Sequence, residues 1–471
     1  MFTPSFMDKK IAKDLPINNL DNLIKKYNQP VPRYTSYPTV PYWQELAGTE
    51  CWIKKFRERF IQFNESRGIS IYVHLPFCES LCTYCACNKR ITQNHQVEDE
   101  YIRELLKEWN IYRAEMQDAP VIRELHLGGG TPTFFSAKNL EYLLEAILGG
   151  ARIHPQHGFS IEGHPNNTSK DQLETLYRLG FRRISYGVQD NDPIVQRAIN
   201  RIQPLENVRK VTEEAREIGF TSVNYDLVYG LPFQTLESER KTIEEIIRLH
   251  PDRIAFYSYA HVPWKMKAQR LFDDNDLPSA QSKMQIYLLG RKMFMDAGYR
   301  DVGMDHFALP DDELNLSSKL GCLHRNFMGY TAFESALLIG LGVSAISDIG
   351  QAYAQNHREL ENYYLAVRTN KLPIAKGFFL DDIDLAFKQY ILDIACRGKT
   401  KLQPIHKSIL DEFTIPMLKQ MEADRLLAIE GDEIIVSPQG KQFVRIICQA
   451  FDLKWHEEKE SAEQKKFSLS V

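Results

Sequence analysis

Between residues 69 and 259, short runs rich in β-branched and aromatic residues alternate with longer amphipathic stretches, which restricts the chain to a parallel sheet covered by helices. Six runs read as strands: ISIYVHL (69–75), VIRELHL (121–127), FSIEG (159–163), RRISYGV (182–188), TSVNYDLVYG (221–230) and RIAFYSY (253–259). The stretches between them, such as residues 97–116, 137–148 and 236–250, carry charge on one face and read as helices. Six such units predict an α/β fold, a partial (β/α)6 barrel. A doubly wound open sheet has the same periodicity.

In such a barrel, functional residues belong at the C-terminal ends of the strands. Here those ends read HLPFC, GGGTPT, EGHPNN, VQD, DLVYGLP and YAHVP, so one shared site is expected. Residues 1–68, with the proline-punctuated VPRYTSYPT (31–39), are expected to wrap the barrel, and residues 69–375 to form the barrel and its extensions. Residues 376–471 are expected to form a small, mainly helical, winged-helix-like domain. Two strand-like runs around Gly431-Asp432 support that reading. The charged stretch 454–471 is expected to fray.

The balance of 58 Lys and Arg against 62 Asp and Glu leaves no basic field for nucleic acid or an anionic membrane. No apolar run reaches the roughly 18 residues of a membrane span. The nearest, Tyr330 to Ile349, is broken by Glu334 and several glycines. The start MFTPSFMDKKIAKDLP has no secretory signal pattern, so a cytoplasmic location is expected. Four of the 8 cysteines crowd into Cys78, Cys82, Cys85 and Cys87, which suits a metal site better than a disulfide framework.

Cys78-x3-Cys82-x2-Cys85 supplies three thiolates in one loop after a strand, enough for three corners of a [4Fe–4S] cube with one iron left open. Structural zinc is the alternative, but no second ligand pair exists in the chain. Cys87 could be a fourth ligand, a substrate-side thiol or a packed residue; the nonligand role is favoured because the open iron is needed. The run Gly128 to Thr133 lets a cofactor approach the backbone. Glu162, Gln189, Arg201 and Asp226 lie at later strand ends, where carboxylates can accept ribose hydroxyls and an arginine can pair with a carboxylate.

The segment YVHLPFCESLCTYCACNK (72–89) resembles the cluster loop of the radical S-adenosylmethionine (SAM) superfamily, specifically the oxygen-independent coproporphyrinogen III oxidase family. The likeness extends along nearly the whole chain, through PRYTSYPT, LHLGGGTPT, GVQD, GFTSVNYDLVYGLP, YAHVP, GMDHFALPDDEL, LHRNFMGYT and GVSAISDIGQAYAQN. It implies a [4Fe–4S] cluster on Cys78, Cys82 and Cys85, and a SAM contacted by Tyr72, Gly129, Glu162 and Ile346. A second SAM would meet Tyr84, Gly130, Thr131, Gln189, Arg201, Asp226 and Ala260. Tyr72, His74 and Cys87 are the candidate catalytic side chains.

The implied reaction converts two propionates of coproporphyrinogen III to vinyls through a 5′-deoxyadenosyl radical, with an external electron donor and acceptor, in a monomer that needs neither nucleic acid nor membrane. Arg33, His324 and Arg325 are the candidate partners for the substrate carboxylates. The chain departs from the family pattern at Gly163-His164-Pro165-Asn166-Asn167, which puts the geometry near His164 in question. A haem-binding chaperone on the same scaffold is one rival; the presence of Cys87 and PRYTSYPT argues against it. A radical SAM tetrapyrrole methyltransferase is the other.

Overall fold

Strands buried on both faces must be apolar along their length, and β1 (Ile69–Leu75) is buried at every position except Tyr72. It is followed by β2 (Val121–Gly129), β3 (Arg152–Gly163), β4 (Phe181–Gln189), β5 (Ser222–Tyr229) and β6 (Arg253–Ser258), each paired in parallel with the one before. The computed structural model describes residues 17–46, 48–458 and 467–470.

A further parallel strand, Leu338–Leu341, pairs with the outer side of β1. The sheet continues antiparallel beyond it through Ile346–Asp348, Ala352–Asn356, Ile374–Phe379 and Gln44–Glu45. On the far side, His306–Ala308 and Arg300–Gly303 extend β6. Among the described residues the two edges do not pair, so the barrel is partial.

Helices α1 (Glu50–Arg67), α2 (Val97–Ala114), α3 (Ala137–Leu148), α4 (Lys170–Arg178), α5 (Leu205–Ile218) and α6 (Leu236–Leu249) fill the connections. Their starts follow local chemistry. Ser136 caps α3 through the Asn139 amide, and Ser169 with Gln172 closes a capping box on α4.

The strand Ile374–Phe379 crosses the expected boundary at 375/376 and belongs to the large sheet. Beyond it, helix Asp382–Arg397 leads to a three-stranded antiparallel sheet ordered Lys399–Lys401, Glu433–Val436, Leu427–Glu430, with helices Ile415–Ala423 and Val444–Gln449 around it. One hydrophobic core runs from Leu23 through the barrel strands to Leu453, so wrapping segment, barrel and C-terminal part are packed together.

Within the wrapping segment, between helix Ile17–Tyr27 and the short turn at Val40, residues 28–39 have almost no regular structure, yet Val31, Tyr34, Ser36, Tyr37 and Thr39 are buried. Tyr34 donates to Asp452 at 3.0 Å, and the Tyr37 hydroxyl accepts from the Leu453 amide at 3.2 Å. The expected fraying of 454–471 does not hold for residues 454–458, which lie in the helix Leu453–Glu458, nor for residues 467–470. Leu469 bridges Pro30, the Ser470 amide donates to Gln29 O at 3.0 Å, and the Ser470 hydroxyl reaches Tyr27 O at 2.6 Å. Those four residues, Phe-Ser-Leu-Ser, carry no charge, so nothing in their composition opposes the pairing. Residues 459–466, and the leader stretch 1–16, lie outside the described residues.

Candidate active site

The cysteine loop is held at several points by its surroundings. Directly after β1, Phe77–Cys78 pairs in parallel with Arg90–Ile91; the Arg90 amide donates to Pro76 O at 2.8 Å and the Thr92 amide to Cys78 O at 2.9 Å. The Thr83 amide and hydroxyl donate to Ile199 O and Ala198 O, and Asn200 Nδ2 donates to Leu81 O at 2.8 Å. The loop is thereby tied to the segment that follows β4. A Cβ on Gly130 would stand 2.5 Å from Pro76 O and 3.0 Å from Cys78 Sγ, so only glycine lets the end of β2 lie this close.

The three thiols sit among hydrogen-bond donors. Thr131 Oγ1 donates to Cys78 Sγ at 3.3 Å, Arg201 Nη1 to Cys82 Sγ at 3.6 Å, and Lys89 Nζ to Cys85 O at 2.9 Å. Without iron, burial pushes the Cys78 thiol up to about 11, while its hydrogen bond with Cys87 holds Cys85 down at about 6. Cys87 is thus beside Cys85 at the exposed rim.

A cavity of about 540 Å³ opens over this loop, lined by all four clustered cysteines and by residues from the ends of β2 to β6. Of the expected SAM contacts, Tyr84, Gly129, Gly130, Thr131, Glu162, Gln189, Arg201 and Asp226 line it, as does His164. Glu162 accepts from the Gly129 amide at 3.1 Å and meets His126 Nε2 at 3.4 Å. Burial alone would raise its pKa; the His126 contact and that amide bring it below the usual carboxylate range. Asp226 accepts from Ser185 and Asn224 at 2.9 Å each, but burial, reinforced by the charge of Glu162, pushes it up to about 6. Burial and Arg201 press His164 down to about 3, so a neutral ring faces the cavity where the chain departs from the family pattern.

Tyr72, His74, Ala260 and Ile346 stand behind this lining. The Tyr72 hydroxyl and His74 Nδ1 are 3.0 Å apart, and a Cβ on Gly128 would meet the Tyr72 ring at 2.9 Å and Glu162 Oε1 at 3.0 Å. Tyr72 pairs in register with Gly340, whose missing Cβ leaves room for Ile346 O. Ala260 is joined to the cluster loop by a residue the sequence reading missed. Gln269, fully buried, accepts from the Val262 amide at 2.6 Å and donates to Ala260 O and Tyr84 O at 3.1 Å each. A lone amide in a short turn carries no sequence signal for this.

The three candidate carboxylate partners lie outside the cavity wall. Arg33 donates to Ser258 O at 2.5 Å and stacks 5.9 Å from the ring of Tyr257, which does line the cavity. Arg325 is buried over the Tyr330 ring at 4.7 Å. His324, beside it on the same hairpin, feels the charges of Glu334, Lys388 and Asp348.

Three thiols on one anchored loop, cationic donors turned toward them and a roomy cavity over the rim fit a [4Fe–4S] cluster that leaves one iron for another ligand. The fold and this site define a radical SAM enzyme, and the model of the radical SAM superfamily matches residues 72–246. The oxygen-independent coproporphyrinogen III oxidase of Escherichia coli (strain K12) is 39% identical over 436 residues, covering 91% of this chain and 94% of that protein. That of Pseudomonas aeruginosa is 37% identical, covering 92% and 95%. The solved structure of the Escherichia coli coproporphyrinogen III oxidase, described as a radical SAM enzyme, superposes with a TM-score of 0.84 at 37% identity, over 90% of this chain and 100% of that one. The chain belongs to the oxygen-independent coproporphyrinogen III oxidase family.

Proposed function

We propose that this chain removes the carboxyl groups of two propionates of coproporphyrinogen III without oxygen, leaving vinyls and giving protoporphyrinogen IX. The observation that carries the reading is the single cavity that gathers the cysteine loop with the ends of five strands. A [4Fe–4S] cluster held by Cys78, Cys82 and Cys85, together with SAM, supplies the radical chemistry when bound.

The chain's own residues do the positioning. Glu162, ionised and fixed by the Gly129 amide, offers acceptor oxygens to a ribose or an ammonium group. Arg201 is held by Gly187 O at 2.5 Å and turned to Cys82, which places a fixed cation beside the loop. Gly129 and Gly130 allow close approach of the backbone, and Gln269 locks Tyr84 and Ala260 at one mutual distance. Tyr72, His74 and Cys87 are the side chains assigned to the chemistry. His74 Nε2 meets Asn88 O at 2.9 Å and burial lowers the pKa of the ring, so it is neutral and can hold a proton at one nitrogen only.

The enzyme acts in the cytoplasm as a monomer, with an external electron donor and acceptor; cysteine usage supports the compartment. No described helix is long and apolar enough to cross a membrane. Anaerobic incubation with coproporphyrinogen III, SAM and a reductant, read by product mass, tests the reaction. Loss of two carbon dioxide molecules with no added methyl group is expected; a methylated tetrapyrrole, or SAM cleavage with intact substrate, refutes it.

A further inference from the structure

A second, smaller cavity of about 40 Å³ lies where the wrapping segment, the end of β6 and the C-terminal part meet; Arg33, Arg445, Lys441, Ser258 and Asp305 line it, and Lys283, though not itself in the wall, directly precedes Met284, which is. Its charge is unbalanced. Arg33 donates to Ser258 O; Arg445 donates to Pro32 O at 3.1 Å, to Leu469 O and Ser470 O at 3.3 Å each, and to Val31 O. Lys283, close enough to both arginines to feel their charges, donates to Tyr259 O at 2.8 Å. All of these acceptors are backbone carbonyls, and none of the three cations forms an ion pair with a described carboxylate. Among the described residues, Asp305 is the carboxylate in the cavity wall whose charge reaches Lys283 and Arg445.

Half-buried cations that outnumber the carboxylate facing them are costly, and the molecule registers that cost. Burial, then Arg33 and Arg445, presses Lys283 down to about 7, and burial with Arg33 presses Arg445 down to about 10. A second observation points the same way. Arg325, whose charge reaches His306 together with that of Arg33, has Nε and Nη1 buried without a hydrogen-bond partner. A single water needs about 10–15 Å³ of such space, so the cavity has room for one compact oxyanion.

We infer that this junction is an oxyanion site, in which Arg33, Lys283 and Arg445 together bind one carboxylate or phosphate group. Two sources offer that chemistry. One is a free small anion; the other is a propionate of the proposed substrate, because Tyr257, under Arg33, lines the large cavity while its neighbour Ser258 lines this one. Only the second source rests on the proposed function.

The test uses the anaerobically reconstituted full chain at constant ionic strength, with inorganic phosphate followed by calorimetry and coproporphyrin III, a stable tetracarboxylate, by fluorescence quenching. One phosphate per chain is expected, bound at least tenfold more weakly by Arg445→Gln and by Lys283→Met. If the anion is free in nature, coproporphyrin III affinity stays unchanged in both variants. If it is a substrate propionate, both variants lose at least tenfold in coproporphyrin III affinity and phosphate competes with the porphyrin. Either pattern supports the site. Affinities for both probes that are absent, or equal in wild type and in variants with normal iron content and melting, overturn it. Should Arg445→Gln fail to fold, since it also ties three segments together, Lys283→Met decides, as its ammonium makes one hydrogen bond. Phosphate binding that depends on the cluster in a protein that ignores coproporphyrin III leaves the site standing and removes the substrate reading.

Discussion

Replacing Gln269 by Leu removes one buried amide and should loosen the far wall of the active site without touching a cysteine. Three hydrogen bonds vanish, from the Val262 amide and to Tyr84 O and Ala260 O, and their three backbone partners are left without the amide. At about 1 kcal/mol net per bond the loss is about 3 kcal/mol, and unmet buried groups add to it. The loss falls on a local opening of residues 260–271 because the barrel core does not depend on this turn. About 3 kcal/mol is roughly a hundredfold in an opening equilibrium. Hydrogen–deuterium exchange by mass spectrometry on the reconstituted protein should therefore show residues 260–266 exchanging about a hundredfold faster, with iron content unchanged and SAM affinity reduced. Exchange in that segment equal to wild type would refute the reasoning. So would a drop in melting temperature without any local change, because the amide would then be holding the fold and not the site.

Cys78→Ser, Cys82→Ser and Cys85→Ser should each abolish the [4Fe–4S] signal in Mössbauer spectra, whereas Cys87→Ser should keep it; cluster loss in the last variant would make Cys87 a ligand. Arg201→Ala should weaken SAM binding by about 1.5–3 kcal/mol, the worth of a hydrogen bond to a charged group, with cluster content retained, as equilibrium dialysis can measure. Glu108, on the buried face of α2 and accepting from the Gly342 amide, Tyr363 and Asn356, is pushed up to about 7 by burial. A raised carboxyl pKa means that its stabilising contribution is full below about pH 4.5 and is lost as pH rises through about 7. That gap corresponds to about 3 kcal/mol, so melting of Glu108→Gln should vary less than wild type from about pH 5 to about pH 9. Parallel curves would show that Glu108 keeps one charge state.

Strands formed at all six expected places, because β-branched and aromatic runs between amphipathic stretches are what a helix-covered parallel sheet requires; β3 begins earlier than expected, at Arg152, its first half being polar and largely exposed. Leu338–Leu341 escaped because three apolar side chains and a glycine inside a glycine-rich stretch carry neither alternation nor a following helix. The third strand of the C-terminal sheet, Lys399–Lys401, has a polar pattern that only its partner Glu433–Val436 makes into a strand. In the site, the glycines and the charged residues of the strand ends were legible as residue types crowded at one place in the topology. Gln269 and, at the junction, Lys283 and Arg445 were not, since their partners are backbone carbonyls brought together by folding and a carbonyl has no sequence identity. Arg33, His324 and Arg325 were read from charge alone, and none of the three lines the large cavity.

The pairing of Gln29–Val31 with residues 468–470 bears on how the molecule is made. Tyr27 O and the Ser470 hydroxyl that meets it are 443 residues apart, so the ribosome must add nearly all of the intervening chain before that contact can form. At about 5–20 residues per second, the wrapping segment waits on the order of a minute for its partner, while the barrel strands can pair as they emerge. Tyr34 and Tyr37, buried in the finished molecule, are open to solvent or to a chaperone until then. A cluster inserted during synthesis would therefore enter an unsealed barrel, with the junction closing afterwards around a site already loaded.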